Sequence, residues 1–137
     1  MVMTEDDDRF IISTSTILNA GSGLFARKLL EKGERLEVIG VLLRAGSVAD
    51  LCTRYADCYK FRVGEFLLIP VGFGGMVNHS IEPNMEKAIE GQTVFLRTNR
   101  VVQPGEELSF RYSETFFKVM NLDPQSFSPR GGDFPHA

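Results

Sequence analysis

Residues 72–85 read GFGGMVNHSIEPNM, and this stretch decides how the rest of the chain is interpreted. It places His79, one of only two histidines in the chain, between Asn78 and Ser80 and after three glycines. Three interpretations are open for this segment: a catalytic histidine, a glycan acceptor in the sequon Asn-His-Ser, or a loop that serves another group. The remaining sequence has to distinguish among them.

The composition predicts one globular domain with its own hydrophobic core. The chain has 137 residues, of which 43% are hydrophobic, and this length suits one core better than two. The net charge is -3, and the Lys and Arg residues are scattered rather than arranged in a stripe. We therefore expect no nucleic-acid partner. The acidic run at residues 4–8 is predicted to end an N-terminal arm, residues 1–8, that is either solvated or attractive to a basic peptide.

The first ten residues, MVMTEDDDRF, contain neither the basic region nor the apolar stretch of a secretory signal. No later segment reaches the roughly 18 apolar residues of a membrane span. We therefore expect an intracellular protein, cytoplasmic or nuclear, that is not secreted and has no membrane partner. This expectation removes the glycan interpretation of Asn78, because that modification occurs in secreted chains.

The two cysteines do not predict a metal site. Cys52 and Cys58 have no second cysteine pair, and the chain offers only two imidazoles. A four-ligand zinc site cannot be assembled from the usual spacings of such a set. We interpret both cysteines as small buried hydrophobic residues.

Short apolar runs separated by glycine and proline predict a mainly β fold. The predicted strands are residues 9–14, 35–43, 65–73, 93–98 and 107–112. A helix is predicted within residues 47–61, where apolar residues recur at three- and four-residue steps and Ser47 provides the cap. A second short helix is predicted at 114–120 behind Ser113, followed by an irregular C-terminal tail at 122–137.

Two segments, LLEKGERLEV (29–38) and VVQPGEELSF (101–110), follow one pattern around a Gly-Glu pair. Each is predicted as a turn that joins the two strands of a hairpin, and Pro104-Gly105 suits the centre of a type II turn. Two independent hairpins and an internal duplication both remain open as explanations.

Three motifs in a fixed order resemble the SET-domain family of protein lysine methyltransferases. They are GSGLFA (21–26), NHSIEPN (78–84) and GEELSFRY (105–112), and the resemblance extends over residues 9–121. It implies a SET-domain fold of small, β-clip-like sheets with a pseudoknot-like crossing near the NHS segment. It also implies S-adenosyl-L-methionine as the cofactor and a protein substrate, histone or non-histone, that presents a lysine.

The family roles carry over to the residues that match the motifs. By resemblance, Tyr112 is the catalytic residue, and His79 binds the cofactor rather than acting as a base. The residues implied in cofactor binding are Gly21, Ser22, Gly23, Leu24, Asn78, His79 and Phe117. The residues implied in the substrate-lysine channel are Phe110, Phe116 and Tyr55, with Tyr59 as the other tyrosine considered. Packing in a helix core is the open alternative for Phe116 and Phe117, and an ordinary half-buried aromatic is the alternative for Tyr55 and Tyr59.

Methyl transfer to lysine explains why such residues are required. The amine must be neutral, and a free lysine has a pKa near 10.4, so deprotonation at pH 7 costs roughly 4–5 kcal/mol. The positive cofactor and an apolar channel both lower that pKa, so a strong general base is not needed. A tyrosine hydroxyl and carbonyl oxygens then orient the amine. Phe110 occupies a position where a tyrosine would limit added methyl groups, which predicts methylation beyond the monomethyl state.

The chain also departs from the family pattern. Gly75 to Val77 stand where many members read Arg-Phe-Ile, Ile81 stands in place of a frequent cysteine, and Val38 stands in place of a frequent tyrosine. No cysteine-rich segment follows Tyr112, so the resemblance is to small zinc-free SET proteins, such as stand-alone viral or bacterial ones. An inactive SET-fold binding module and a methyltransferase for small amines stay open as alternatives, and an exposed strand edge would permit a homodimer.

Overall fold

Small β sheets make up most of the computed structural model, which describes residues 4–18 and 20–120. The strands are β1 Phe10–Thr14, β2 Ser22–Ala26, β3 Arg35–Glu37, β4 Gly40–Arg44, β5 Phe61–Val63, β6 Phe66–Pro70, β7 Asn78–His79, β8 Met85–Glu90, β9 Thr93–Thr98 and β10 Ser109–Phe110. The helices are α1 Val48–Cys52 and α2 Glu114–Met120, and 3-10 turns occur at Arg54–Ala56 and Phe73–Met76. The prediction of a mainly β fold with one or two short helices is confirmed.

The strands form separate small sheets rather than one continuous layer. Three of the sheets are antiparallel and have the orders β1-β2, β3-β9-β8 and β4-β6-β5. In contrast, β7 and β10 run parallel, with Asn78 opposite Ser109 and His79 opposite Phe110. Parallel neighbours require a crossover connection, which β8 and β9 provide here. The NHS segment therefore lies directly beside the chain that leads to Tyr112.

The predicted strand at 35–43 is in fact two strands in different sheets. β3 pairs with β9, whereas β4 pairs with β6. The chain changes sheets at Val38 and Ile39, and Gly40 permits the change because its missing Cβ leaves room for the Ile69 carbonyl. The predicted strand at 65–73 likewise ends early, at Pro70, because Gly72 has a φ of 107° and a 3-10 turn follows it.

The two Gly-Glu segments do not form two hairpins, so that prediction is wrong. Instead they pair with each other through an antiparallel bridge between Leu30 and Val102. Gly105 has a φ of 90°, and the amide of Glu106 donates to the Gln103 carbonyl at 3.1 Å. These values fit the predicted type II turn, in which the third residue needs a positive φ.

Both predicted helices exist, but the first is shorter than its pattern suggested. The Ser47 hydroxyl accepts a hydrogen bond from the Asp50 amide at 3.3 Å, as the capping prediction required. The apolar positions of α1 nevertheless face solvent: Val48 is 76% exposed, and none of the five helix residues is buried. Cys52 is exposed and Cys58 is half-buried, so the interpretation of both cysteines as buried hydrophobic residues is wrong. At the second helix, Ser113 accepts from the Phe116 amide at 3.4 Å.

The hydrophobic core draws buried side chains from all four sheets. Its most deeply buried apolar side chains are Leu24, Leu30, Leu36, Met85, Val94, Leu96, Val102 and Leu108. Each fully buried aliphatic side chain contributes about 1.5–3 kcal/mol of hydrophobic stabilisation. Because these residues come from segments far apart in the sequence, their packing holds those segments, and the loops that join them, in place.

The described part of the predicted acidic arm contacts the domain. The Glu5 carboxylate accepts from the Phe73 amide at 2.5 Å. The Asp7 carboxylate accepts from the Arg9 guanidinium at 2.7 Å, and this hydrogen bond lowers the pKa of Asp7. Residues 1–3 and the predicted tail at 122–137 lie outside the described residues. Neither described helix has the length and apolar character needed to cross a membrane.

Candidate active site

The side-chain amide of Asn78 lies where the three sequence motifs meet. Its Nδ2 atom donates to the Ser22 carbonyl at 3.0 Å, to Glu107 Oε2 at 3.1 Å and to Ser15 Oγ at 3.3 Å. Asn78 is only 7% exposed, and a buried amide needs such partners to offset the loss of water. One side chain thus joins the GSG segment, the NHS segment and the GEEL segment.

The Glu107 carboxylate accepts hydrogen bonds at the place where the GSG, NHS and GEEL segments meet, and we call this place the crossing. Oε1 accepts from the Thr16 amide at 2.7 Å and from the Thr16 hydroxyl at 2.6 Å. Oε2 accepts from the Ser15 hydroxyl at 2.7 Å in addition to the Asn78 amide. Sequence reasoning assigned Glu107 no role, because its partners in the first 20 residues are 91 and 92 positions away. No local pattern signals contacts of that separation.

The structure shows why the GSG motif has a glycine at position 23. A Cβ atom at this position would overlap the Glu107 carboxylate and would lie 3.1 Å from the Asn78 amide nitrogen. Glycine is therefore needed for close approach of the backbone to protein groups, whereas the motif alone suggested close approach of a ligand. For Gly21, Ser22, Gly23 and Leu24 the cofactor role stays a prediction; Leu24 itself is fully buried in the core.

His79 is completely buried beneath the catalytic candidate. Its Nδ1 atom accepts a hydrogen bond from the Tyr112 amide at 2.8 Å. Its ring contacts Tyr112 and Phe117 at centroid distances of 5.3 and 4.6 Å. A ring nitrogen that accepts a hydrogen bond carries no proton. The role of Nδ1 is therefore structural, because it fixes the backbone of Tyr112.

The Tyr112 hydroxyl is fixed as well. It donates to the Val77 carbonyl at 2.9 Å, and the ring lies between Phe110 and Phe116 at centroid distances of 5.0 and 4.7 Å. Burial raises the pKa of Tyr112 well above its usual value of 10.0, and the nearby Tyr59 and Glu107 act in the same direction. Burial thus favours the protonated form of the phenol.

Tyr112 lines a cavity of about 510 Å³ that is open to the surface. Phe110 and Phe116, both assigned to the lysine channel from the sequence, line it too. Tyr55 does not; it is 82% exposed on the surface, so its assignment to the channel is wrong. The helix tightens into a 3-10 turn at Arg54–Ala56, which advances each residue by a larger angle than an α-helix. The tyrosine that this segment contributes to the cavity is Tyr59.

Phe116 and Phe117 are both packed in the interior, as the helix-core alternative predicts, and Phe116 also lines the cavity. Both are buried, at 3% and 5% exposure, and their rings meet edge to face at 5.0 Å. Phe116 faces the cavity beside Tyr112, whereas Phe117 packs against His79 on the other side. A residue on α2 can therefore serve as packing and as cavity wall at once. Whether Phe117 covers an adenine stays a prediction.

Six charged residues of the described part of the chain also line the cavity. The Lys60 ammonium donates to Asp50 and to Asp57, each at 2.7 Å, and its side chain is 2% exposed. Burial alone would lower the pKa of Lys60, but the two carboxylates outweigh it and raise that pKa. Three further cations, Arg62, Lys87 and Arg111, line the same cavity.

A family comparison agrees with the motifs and the crossing. The model of the SET domain matches residues 21–113, more than half of the chain. The chain belongs to the SET-domain family. Among solved structures, this SET domain is similar to a candidate histone methyltransferase of Plasmodium falciparum, with a TM-score of 0.64 and 20% sequence identity. The match covers 82% of this chain and 99% of that chain, and it shows a shared fold.

Proposed function

We propose that this SET domain is a protein-lysine N-methyltransferase that uses S-adenosyl-L-methionine. The observation that carries the proposal is the Tyr112 hydroxyl, which is held by the Val77 carbonyl at 2.9 Å in the wall of a partly apolar cavity. Membership of the SET-domain family supports the methyltransferase class. The similar solved structure, described as a candidate histone methyltransferase, is consistent with a protein substrate.

The residues at the crossing fit a cofactor with a polar amino-acid end and an aromatic base. Gly21 and Ser22 present exposed backbone, and Ser22 is tied to Asn78. Phe117, whose ring packs edge to face on the buried His79, would supply the aromatic contact for an adenine. When bound, the cofactor would supply an electrophilic methyl group on a positively charged sulfur.

The geometry of Tyr112 defines how it would act on the substrate lysine. Its hydroxyl hydrogen is committed to Val77, so the oxygen offers only lone pairs to the cavity. Those lone pairs can accept an N–H of the amine and direct the nitrogen lone pair toward the methyl carbon. They can also stabilise the polarised methyl hydrogens during transfer. Tyr112 therefore orients the amine, and the proton is lost from the lysine before transfer.

The direct test is incubation with methyl-labelled S-adenosyl-L-methionine, core histones and a cell lysate. Label in a protein band, mapped to lysine by mass spectrometry, is the expected result. Label in free amines alone would support a small-molecule methyltransferase instead. Absence of both transfer and a cofactor-induced shift in melting temperature would overturn the proposal in favour of an inactive binding module.

Phe110 predicts the methylation state of the product. Its ring stacks on Phe61 at 5.6 Å and places no hydroxyl beside Tyr112, which leaves room for a methylated amine to turn. We expect exhaustive reaction to give di- or trimethyllysine, and Phe110→Tyr to shift the product toward monomethyllysine. Mass spectrometry of the reacted peptide measures both. Phe95→Tyr, outside the cavity, is the matched control, and a wild-type enzyme that stops at one methyl group would disprove the prediction.

The pH dependence of the rate follows from the protonation of lysine and tyrosine. Because burial raises the pKa of Tyr112, the phenol stays neutral while the substrate lysine loses its proton. We therefore expect kcat/KM to rise from pH 7 toward about pH 10, where free lysine titrates, without a descending limb from Tyr112. Initial rates on a lysine peptide at saturating cofactor measure this profile. A fall in rate below pH 10 that disappears in Tyr112→Phe would contradict it.

A further inference from the structure

Three cations meet at the cavity that contains Tyr112. Arg62 on β5, Lys87 on β8 and Arg111 after β10 all line it and all are exposed residues. The Lys87 ammonium donates to the Arg62 carbonyl at 2.8 Å, which brings these two strands together at the cavity. We call Arg62, Lys87 and Arg111 the basic rim.

The basic rim differs from several other cations of the described chain because its members form no ion pair; Asp50 feels the charge of Arg62 only at longer range. Among the described residues, no ion pair includes any member of the rim, whereas Arg35, Arg44, Arg97 and Arg100 each pair with a glutamate. The acidic residues of the same cavity, Asp50 and Asp57, are both committed to Lys60. Partial burial and the charge of Arg62 lower the pKa of Lys87, as expected for like charges held together. The cavity mouth is therefore electropositive.

We propose that the protein substrate of this SET domain carries an acidic side chain close to the lysine that is methylated, and that the basic rim binds this carboxylate. This inference rests on the proposed function, because it concerns the substrate of the same site. Arg111 is the chain neighbour of Tyr112, and an extended peptide spans about 3.3–3.6 Å per residue. The acidic residue accordingly belongs within a few positions of the lysine.

The same charges act on the target lysine in two ways. They repel its ammonium form, which disfavours entry of a peptide rich in lysine and arginine. They also lower the pKa of a lysine that has entered, which favours the neutral amine needed for transfer. A neighbouring carboxylate on the peptide offsets the repulsion without entering the cavity itself. The rim thus selects acidic peptides over basic ones, such as histone tails, at the encounter step.

Three peptides that differ only in the residues flanking one lysine, with Glu, Gln or Arg, test this inference. We expect kcat/KM for the Glu peptide to exceed that for the Gln peptide by about tenfold, with the Arg peptide lowest. The advantage of the Glu peptide should shrink as the salt concentration rises. Fluorescence anisotropy of labelled peptides should give the same order of Kd. Equal values, or an order led by the Arg peptide, would overturn the inference.

Charge reversal provides the sharper comparison. The double variant Arg62→Glu and Lys87→Glu leaves Arg111 beside Tyr112 intact, and we expect it to prefer the Arg peptide. The matched control, Arg27→Glu and Lys32→Glu, changes the net charge equally at exposed residues that do not line the cavity. It should keep the wild-type order. Circular dichroism and the melting temperature report folding in each variant, so a reversed order cannot arise from unfolding.

The two proposals fail in different ways. Methyl transfer to all three peptides without a preference for the Glu peptide would contradict carboxylate binding by the basic rim. It would still support the proposed methyltransferase activity. Tighter binding of the Glu peptide without any methyl transfer would support carboxylate binding by the basic rim. It would contradict the proposed methyltransferase activity. Binding and transfer are measured on the same 137-residue chain.

Discussion

Replacement of Tyr112 by phenylalanine is expected to lower kcat for lysine methylation by about 100- to 1,000-fold, the usual effect of losing one preorganised polar group. The ring would keep its contacts with Phe110 and Phe116, but the oxygen that orients the amine would be gone. The hydroxyl is not predicted to bind the cofactor. The Kd of the variant for S-adenosyl-L-methionine should therefore stay within about twofold of the wild-type value. Steady-state rates with a lysine peptide, together with calorimetric titration of the cofactor, measure the two quantities.

Tyr55→Phe is the matched control for this experiment, because it removes the same atom from a tyrosine that is 82% exposed and outside the cavity. Tyr112→Phe also loses the hydrogen bond to Val77, so the free energy of unfolding should fall by about 1 kcal/mol. That loss is too small to unfold a domain of ordinary stability. If Tyr112→Phe retains the wild-type kcat, Tyr112 does not have the role assigned to it.

Replacement of Glu107 by glutamine should have the largest effect on stability, a loss of about 2–4 kcal/mol in the free energy of unfolding. All four groups that contact its carboxylate are donors, from Ser15, Thr16 and Asn78. A glutamine would point an NH₂ group at some of these donors and leave them unsatisfied. Urea denaturation followed by circular dichroism measures the loss, and cofactor binding should weaken because Asn78 is released.

The neighbouring Glu106 supplies the control. Its carboxylate pairs with Arg100 at 3.0 Å near the surface, and that hydrogen bond lowers the pKa of Glu106. Glu106→Gln removes the same charge from the adjacent residue, whose carboxylate accepts from the Gln103 amide and pairs with Arg100. A glutamine oxygen can still accept from the Gln103 amide, and an ion pair near the surface contributes only about 0–1 kcal/mol. Equal losses in the two variants would show that Glu107 has no special place in the fold.

Local patterns predicted the parts of the structure that depend on near neighbours. The apolar runs around 9–14 and 93–98 became β1 and β9, and Ser47 and Ser113 cap the two helices. The order of the GSG, NHS and GEEL motifs pointed to the family that the comparison then found. Each of these signals is carried by a few consecutive residues, and such signals survive in any tertiary context.

The errors arise where distant segments decide the outcome. The Gly-Glu segments looked like hairpins because their turns are local, but the Leu30–Val102 bridge joins residues from opposite halves of the chain. The apolar stripe of α1 predicted burial, yet the described elements do not cover it, so Val48, Cys52 and Tyr55 face solvent. The contacts of Glu107, and the lack of carboxylate partners for the basic rim within the described residues, depend on tertiary packing alone. No spacing in the sequence could reveal them.

The groups that meet at the crossing are far apart in the sequence, so the chain must be nearly complete before they can come together. Glu107 meets Ser15 across 92 positions, and the Tyr112 amide meets His79 across 33. Such contacts close long loops, which slows folding relative to chains with local contacts. A nascent chain that has reached residue 106 already contains β1 to β9 but has neither Glu107 nor Tyr112. Methyl transfer should therefore appear only after β10 has docked beside β7 and α2 has brought Phe116 to the cavity.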